Sequence, residues 1–173
     1  MQKILIVVDM QNDFIDGALG TPEAVAIVPR VEQKIREFPG KVIFTRDTHG
    51  ERYLETQEGK HLPVPHCIKG TKGWEICPQL EALREAEAID KVPFGSEKLG
   101  ELLQEENRKE QIEDITLVGL CTDICVISNA LLLKAFLSET PIIVDASCCA
   151  GVTPKSHETA LDAMRMCQIN IER

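Results

Sequence analysis

The sequence has no apolar run near the ~20 residues that a membrane-spanning helix needs. Its first apolar run, Ile4–Val8, is ended by Asp9. No long apolar leader segment or small-residue cleavage site follows, so neither a membrane partner nor a secretory signal is expected, and a cytoplasmic setting is. Basic residues never cluster beyond a pair, and the net charge is −9, from 28 acidic against 19 basic residues. That balance argues against binding driven by nucleic-acid phosphates. Paired CxxC motifs are absent, which removes the usual structural zinc-cysteine site. The seven cysteines are an odd number, and without an export signal they read as reduced thiols rather than a disulfide framework. Missing too is the G-x-G-x-x-G turn that a dinucleotide pyrophosphate requires. Asp9-Met10-Gln11-Asn12 stands in its place, so no nucleotide cofactor is expected.

What is present is a strand–helix alternation in a chain of ordinary composition, 43% hydrophobic and 27% charged over 173 residues. That length suits one domain over 1–173. Lys3–Val8 is a continuous Ile/Val-rich run, as a strand covered on both faces should be. Thr21-Pro22 carries an N-cap followed by proline, opening a helix to about Glu37. Lys41–Thr45 is a second strand, and residues 46–75 read as a long loop, a feature that in compact domains is usually functional or disordered. A short helix at Pro78–Arg84, a strand at Ala88–Val92 and a helix at Glu97–Glu106 follow. Then come a strand at Asp114–Leu120, an apolar helix at Asp123–Leu137 and a strand at Pro141–Asp145. Thr153-Pro154 repeats the cap signal for a helix to about Met166, and Gln168–Glu172 is a sixth strand. The pattern predicts an α/β fold with three layers, Rossmann-like, built on a six-stranded, mostly parallel sheet. In a strand order 3-2-1-4-5-6 the ligand crevice lies beyond the strand ends, between strands one and four.

Chemistry-bearing residues gather at those ends. Asp9 closes strand one, Asp47 and His49 follow strand two, Lys91 ends strand three, and Gly119–Cys125 leads from strand four into its helix. Cys125 would sit in a first helical turn, where free N–H groups and the helix dipole favour a thiolate and a lowered pKa. A buried structural cysteine is the plain alternative. Its coincidence with a proton acceptor, Asp9, and a cation, Lys91, favours a nucleophile, base and electrostatic partner. The turn amides of residues 121–125 would offer an oxyanion hole. Cys121 is the rival nucleophile, nearer the strand end and less favoured by the dipole. Cys148 and Cys149 read as packing residues, and His157 as a surface or capping residue. In the long loop Asp47, His49 and His66, with Glu58 or His61, form a donor set that suits zinc, iron or manganese. A polar loop with scattered histidines is the alternative there.

Val8-Asp9-Met10-Gln11-Asn12-Asp13-Phe14, Ile89-Asp90-Lys91-Val92-Pro93-Phe94 and Gly119-Leu120-Cys121-Thr122-Asp123-Ile124-Cys125-Val126 resemble, in order and spacing, the motifs of the isochorismatase-like cysteine hydrolases. The resemblance implies an Asp9–Lys91–Cys125 triad and a cis peptide between Leu120 and Cys121. It implies oxyanion donors at the Cys121 and Cys125 amides, and a pocket bounded by Phe14, Phe94 and Leu120. Asp47-Thr48-His49 and Pro63-Val64-Pro65-His66-Cys67 are most similar to the metal-containing nicotinamidases. That implies a divalent metal on Asp47, His49, His66 and Glu58, or His61 in place of Glu58. The implied activity is hydrolysis of a small amide, such as nicotinamide, through a thioester. Metal-free vinyl-ether hydrolysis of the isochorismatase type, N-carbamoyl amide hydrolysis and a non-catalytic interaction or redox role are the alternatives. A homo-oligomer is implied by the resemblance alone. Where nicotinamidases usually carry a large aromatic before Pro-Pro-His, this sequence has Leu62-Pro63.

Overall fold

Isoleucines and valines of the first strand alternate between two separate cores, and that alternation sets the layers. A computed structural model describes residues 1–173. Strand β1 (Gln2–Val8) sends Ile4, Ile6 and Val8 into one core and Leu5 and Val7 into the other, all fully buried. The chain continues through a short helix α1 (Asn12–Ile15), helix α2 (Pro22–Glu37) and strand β2 (Lys41–Asp47). After a single 3₁₀ turn at Tyr53–Glu55 come α3 (Gln57–His61), α4 (Pro78–Glu81), β3 (Ile89–Lys91), α5 (Glu97–Lys109) and β4 (Ile112–Leu120). One π-helical turn, Thr122–Val126, precedes α6 (Ile127–Phe136), and β5 (Ile142–Ala150), α7 (Pro154–Met166) and β6 (Asn170–Glu172) complete the chain.

The six strands form one sheet in the order β3-β2-β1-β4-β5-β6, and every neighbouring pair is parallel. Leu99 and Leu103 of α5, Ala130 and Leu133 of α6 and Leu161 and Met164 of α7 pack on the Ile4/Ile6 side. Ala24, Ile27 and Val31 of α2 and Leu80 of α4 pack on the other. The three-layer expectation and the strand order therefore hold. Both predicted caps are present: Thr21 accepts from the Ala24 amide and Thr153 from the Ser156 amide. No helix is long and apolar enough to cross a membrane.

Three expectations need correction. The helix predicted over Asp123–Leu137 opens with a π turn, because the chain leaves β4 with the Cys121 carbonyl accepting from both Ile124 and Val126 amides. Such turns concentrate at functional sites. Strand β5 does not stop at Asp145 but resumes after a shift of register and reaches Ala150. The irregular stretch is held by Asp145, whose carboxylate accepts from the Ser147 amide and hydroxyl and pairs with Lys34. The long loop is also more ordered than its composition suggests. It carries α3 and is pinned by bridges from His49 to Ile68 and from Gln11 to Ile76.

Candidate active site

The ends of β1 to β4 meet at one crevice because the strand order reverses direction beside β1, leaving a gap that no crossover helix fills. Gly119 sits at φ +118°, and a side chain there would collide with the Val8 carbonyl. Only glycine lets β4 approach β1 so closely, and that approach brings the turn after β4 over Asp9.

Asp9, Lys91 and Cys125 are brought together and buried. The Lys91 Nζ lies 2.7 Å from an Asp9 carboxylate oxygen and 3.4 Å from the Cys125 Sγ. Thr45 donates its hydroxyl to the other Asp9 oxygen at 2.6 Å. Asp9 itself takes φ +48°, an uncommon conformation for a residue with a side chain. The Leu120–Cys121 peptide is cis, as the motif resemblance implies. The Cys121 amide donates to no protein acceptor, which leaves it available to a substrate oxygen.

The electrostatics differ from the helix-dipole expectation. Burial pushes the Cys125 thiol well up, and the Asp9 charge adds to this against the opposing Lys91 cation. The thiol lies inside the π turn and is almost wholly buried, so desolvation outweighs the dipole. Burial also raises Asp9, opposed by Lys91 and reinforced by Asp47. Burial works against the Lys91 charge, yet Asp9, Cys125 and Asp47 hold it as an ammonium. The arrangement therefore sets a protonated thiol and an Asp9 carboxyl on either side of the Lys91 ammonium, with Asp9 placed as the acceptor for the thiol proton. Cys121, pushed up to about 12 by burial and by Asp123, has no cation against it.

A second cluster adjoins the first. Asp47, His49, Glu58 and His66 place their donor atoms within 4.8 Å of one another. Imidazole and carboxylate alternate around a ring: His49–Asp47 at 2.9 Å, Asp47–His66 at 3.4 Å, His66–Glu58 at 3.5 Å and Glu58–His49 at 3.6 Å. An ion bound at ~2.1 Å to each donor sets neighbouring donors about 3.0–3.4 Å apart, depending on coordination number. The ring's separations of 2.9–3.6 Å bracket that range, and its donors have that chemistry. His66 Nδ1 faces the Val64 carbonyl at 2.8 Å, which aims Nε2 into the ring. His61 is exposed, with Nδ1 against the Gln57 carbonyl, and stays outside the cluster. Gly59 allows α3 to press onto the Tyr53 carbonyl, where a side chain would not fit, and so delivers Glu58.

Cys125 and the four residues of the donor ring line a cavity of about 920 Å³, whose walls also include Phe14, Phe94 and Leu120. Phe94 stands at its mouth, 43% exposed, whereas Leu120 forms buried wall. Sequence reasoning gave no role to three residues that hold these groups. Gln11 clamps β2 beyond its end, accepting from the Asp47 amide at 2.7 Å and donating to the Asp47 carbonyl at 2.8 Å. Asn129, fully buried, donates to the Cys125 and Phe94 carbonyls and accepts from the Ser96 amide. Thr45 orients Asp9. An amide side chain in a largely apolar helix was the available signal for Asn129. His157 is not simply at the surface: its Nδ1 meets the Thr122 hydroxyl at 2.7 Å, tying α7 to the π turn.

An isochorismatase-domain family model matches residues 3–172. The chain belongs to the isochorismatase family. It is 26% identical over 183 aligned residues to the nicotinamidase/pyrazinamidase of Mycobacterium tuberculosis, covering 98% of this chain and 97% of that one. Among solved structures, the pyrazinamidase of Pyrococcus horikoshii in complex with zinc superposes with a TM-score of 0.80 at 28% identity, covering 100% of this chain and 99% of that one. The pyrazinamidase/nicotinamidase of Streptococcus mutans UA159 superposes with a TM-score of 0.79 at 30% identity, covering 98% and 99%. These isochorismatase-family likenesses run over nearly the whole length of the chain.

Proposed function

We propose that this isochorismatase-family chain is a nicotinamidase-like amide hydrolase, converting a small primary amide to its acid and ammonia. The observation that carries this reading is the Lys91 ammonium in contact with both Asp9 and Cys125, behind the wall of a cavity that Cys125 and the donor ring line together. The names of the relatives point the same way. The cavity lining contains no lysine or arginine, so a substrate bearing carboxylates, as isochorismate does, would find no cationic partner on its walls.

Cys125 attacks the amide carbonyl while its proton passes to Asp9. The Cys121 and Cys125 amides receive the developing oxyanion, a contribution of about 3–4 kcal/mol for a donor of this kind. Asp9 then gives its proton to the departing ammonia, leaving an acyl thioester on Cys125. Asp9 next takes a proton from water, which attacks the thioester and releases the acid and the thiol. Lys91 keeps Asp9 ionised between these transfers and favours the anionic sulfur. Asp47, His49, Glu58 and His66 would hold a divalent metal, zinc being the first candidate with iron or manganese as alternatives. Such an ion supplies a Lewis-acid anchor for a ring nitrogen of the substrate. Phe14 and Phe94 provide apolar contact to the ring.

The test is ammonia release from nicotinamide by reduced, zinc-supplied protein. Turnover that Cys125→Ala abolishes supports the reading. No release from nicotinamide or from other small primary amides by folded protein overturns it.

A further inference from the structure

The cavity is larger than the chemistry at its floor requires. Pockets that enclose whole drug-sized ligands span roughly 300–1,000 Å³, and this one measures about 920 Å³. A single-ring amide with its carbonyl on Cys125 and its ring turned to His49 and His66 occupies the floor alone. The walls also include Leu19, Ala24 and Ile124, with Thr21, Thr56 and Gln57 as their uncharged polar members. The mouth is ringed by Leu62, Val92, Phe94 and Val152, exposed by 37, 64, 43 and 52%. One exposed apolar side chain is ordinary, but four from three separate segments around one opening form a patch that marks a binding surface. The charges that line the cavity are confined to the donor ring; beyond it the only titratable side chains are His61 and the two cysteines.

We infer that the preferred substrate is a primary amide with an uncharged, apolar extension, about a second ring in size. The extension runs from the floor to the mouth and lies against Val92, Phe94 and Val152. The inference rests on the amide-hydrolase reading and specifies its substrate class. The occupant is part of the substrate because the patch is continuous with the wall that leads down to Cys125. A surface for a second copy of the chain would not need to extend inward.

The experiment compares kcat/KM for ammonia release from nicotinamide with that from two phenyl-substituted nicotinamides. One carries the phenyl group para to the carboxamide. The other carries it meta to both the carboxamide and the ring nitrogen. At least one extended amide is expected to exceed nicotinamide about tenfold or more, chiefly through a lower KM. In a Val92→Ser/Val152→Ser variant the ratio of extended amide to nicotinamide is expected to fall several-fold. Turnover of nicotinamide equal to or better than that of both extended amides overturns this inference and leaves the amide-hydrolase reading in place. A ratio unmoved by the double substitution also overturns it. So does a change of solution mass in that variant without a change of ratio, because the patch then serves a second copy. Absence of turnover with all three amides overturns this inference, and the amide-hydrolase reading falls with it when other small primary amides also release no ammonia.

Discussion

Asp47 and Lys91 stand 3.8 Å apart, carboxylate oxygen to ammonium, and join the two halves of the site. The other Asp47 oxygen faces His49 and His66. One carboxylate thus serves the donor ring on one side and the lysine beside the nucleophile on the other. Burial opposes the Asp47 charge, yet hydrogen bonds from both histidines hold it at about 2, so it is ionised at any working pH. Lys91 in turn lies among three groups that carry or can acquire negative charge. Removing either partner leaves a charge buried and uncompensated.

That arrangement separates two substitutions. Cys125→Ala removes a small side chain and leaves the Asp9–Lys91 pair intact. Ammonia release is expected to fall by about 10⁴-fold or more, as for loss of a nucleophile elsewhere, with the urea midpoint nearly unchanged. Lys91→Met is expected to abolish turnover and also to cost about 3–5 kcal/mol of stability, because Asp9 and Asp47 lose their cation. Equal denaturation midpoints for Lys91→Met and the unsubstituted protein would contradict the reading of Lys91 as the charge that balances both carboxylates.

The donor ring makes a sharper claim about two neighbouring residues of α3. Glu58→Gln and His66→Ala are expected to lose bound zinc on dialysis, while His61→Ala retains it. His61 points its Nδ1 at the Gln57 carbonyl and is solvent-exposed; Glu58 completes the ring with His49 and His66. Metal analysis of the three proteins is the measurement. Retention by Glu58→Gln together with loss by His61→Ala would exchange their roles.

Much of this was legible beforehand, and the limits have physical causes. The parallel sheet followed from Ile/Val runs that a doubly covered strand accommodates and from their alternation with helices, and the two proline-supported caps located α2 and α7. The approach of Asp9, Lys91 and Cys125 could be expected because all three stand at carboxyl ends of strands. The π turn could not be read, since helix and π turn share the same local pattern and differ by one hydrogen-bond step. The extension of β5 to Ala150 was hidden by Asp145 and Ser147, polar residues that bond to each other instead of ending the strand. The thiol's raised pKa escaped sequence reasoning for a related reason. Helix position shows in the sequence, whereas burial depends on the whole fold. Glu58 against His61 was undecided for want of the register of α3, which Gly59 and its contact with Tyr53 set.

The free donor ring should also hold a proton that a metal must displace. Burial disfavours the His66 cation, but hydrogen bonds to Asp47 and Glu58 raise its pKa from 6.5 to about 10. In metal-free protein the charged ring therefore stabilises the fold. That contribution is fully present below pH 6.5 and is lost as pH rises through about 10. Zinc binds only the neutral nitrogen. Adding zinc to weakly buffered metal-free protein at about pH 8 is expected to release about one proton per ion, and apparent affinity should fall about tenfold per pH unit below the His66 pKa. Zinc uptake with no proton released would contradict His66 as a ligand.

Thr45 offers the last test, of positioning rather than of chemistry. Its hydroxyl donates to Asp9 at 2.6 Å, and Lys91 stands on the other carboxylate oxygen. Thr45→Val keeps the shape of the side chain but leaves one Asp9 oxygen without its donor. A hydrogen bond to a charged group contributes about 1.5–3 kcal/mol, so kcat should fall roughly ten- to a hundredfold with KM little altered. The hydroxyl favours the ionised carboxylate, and its loss raises the Asp9 pKa further. The acid limb of kcat/KM should therefore move to higher pH, a shift that a merely structural defect would not produce. Thr45→Ser restores the donor and should restore both rate and pH profile. A Thr45→Val protein that loses rate with its pH profile unmoved would show that Thr45 supports the strand and does not tune Asp9.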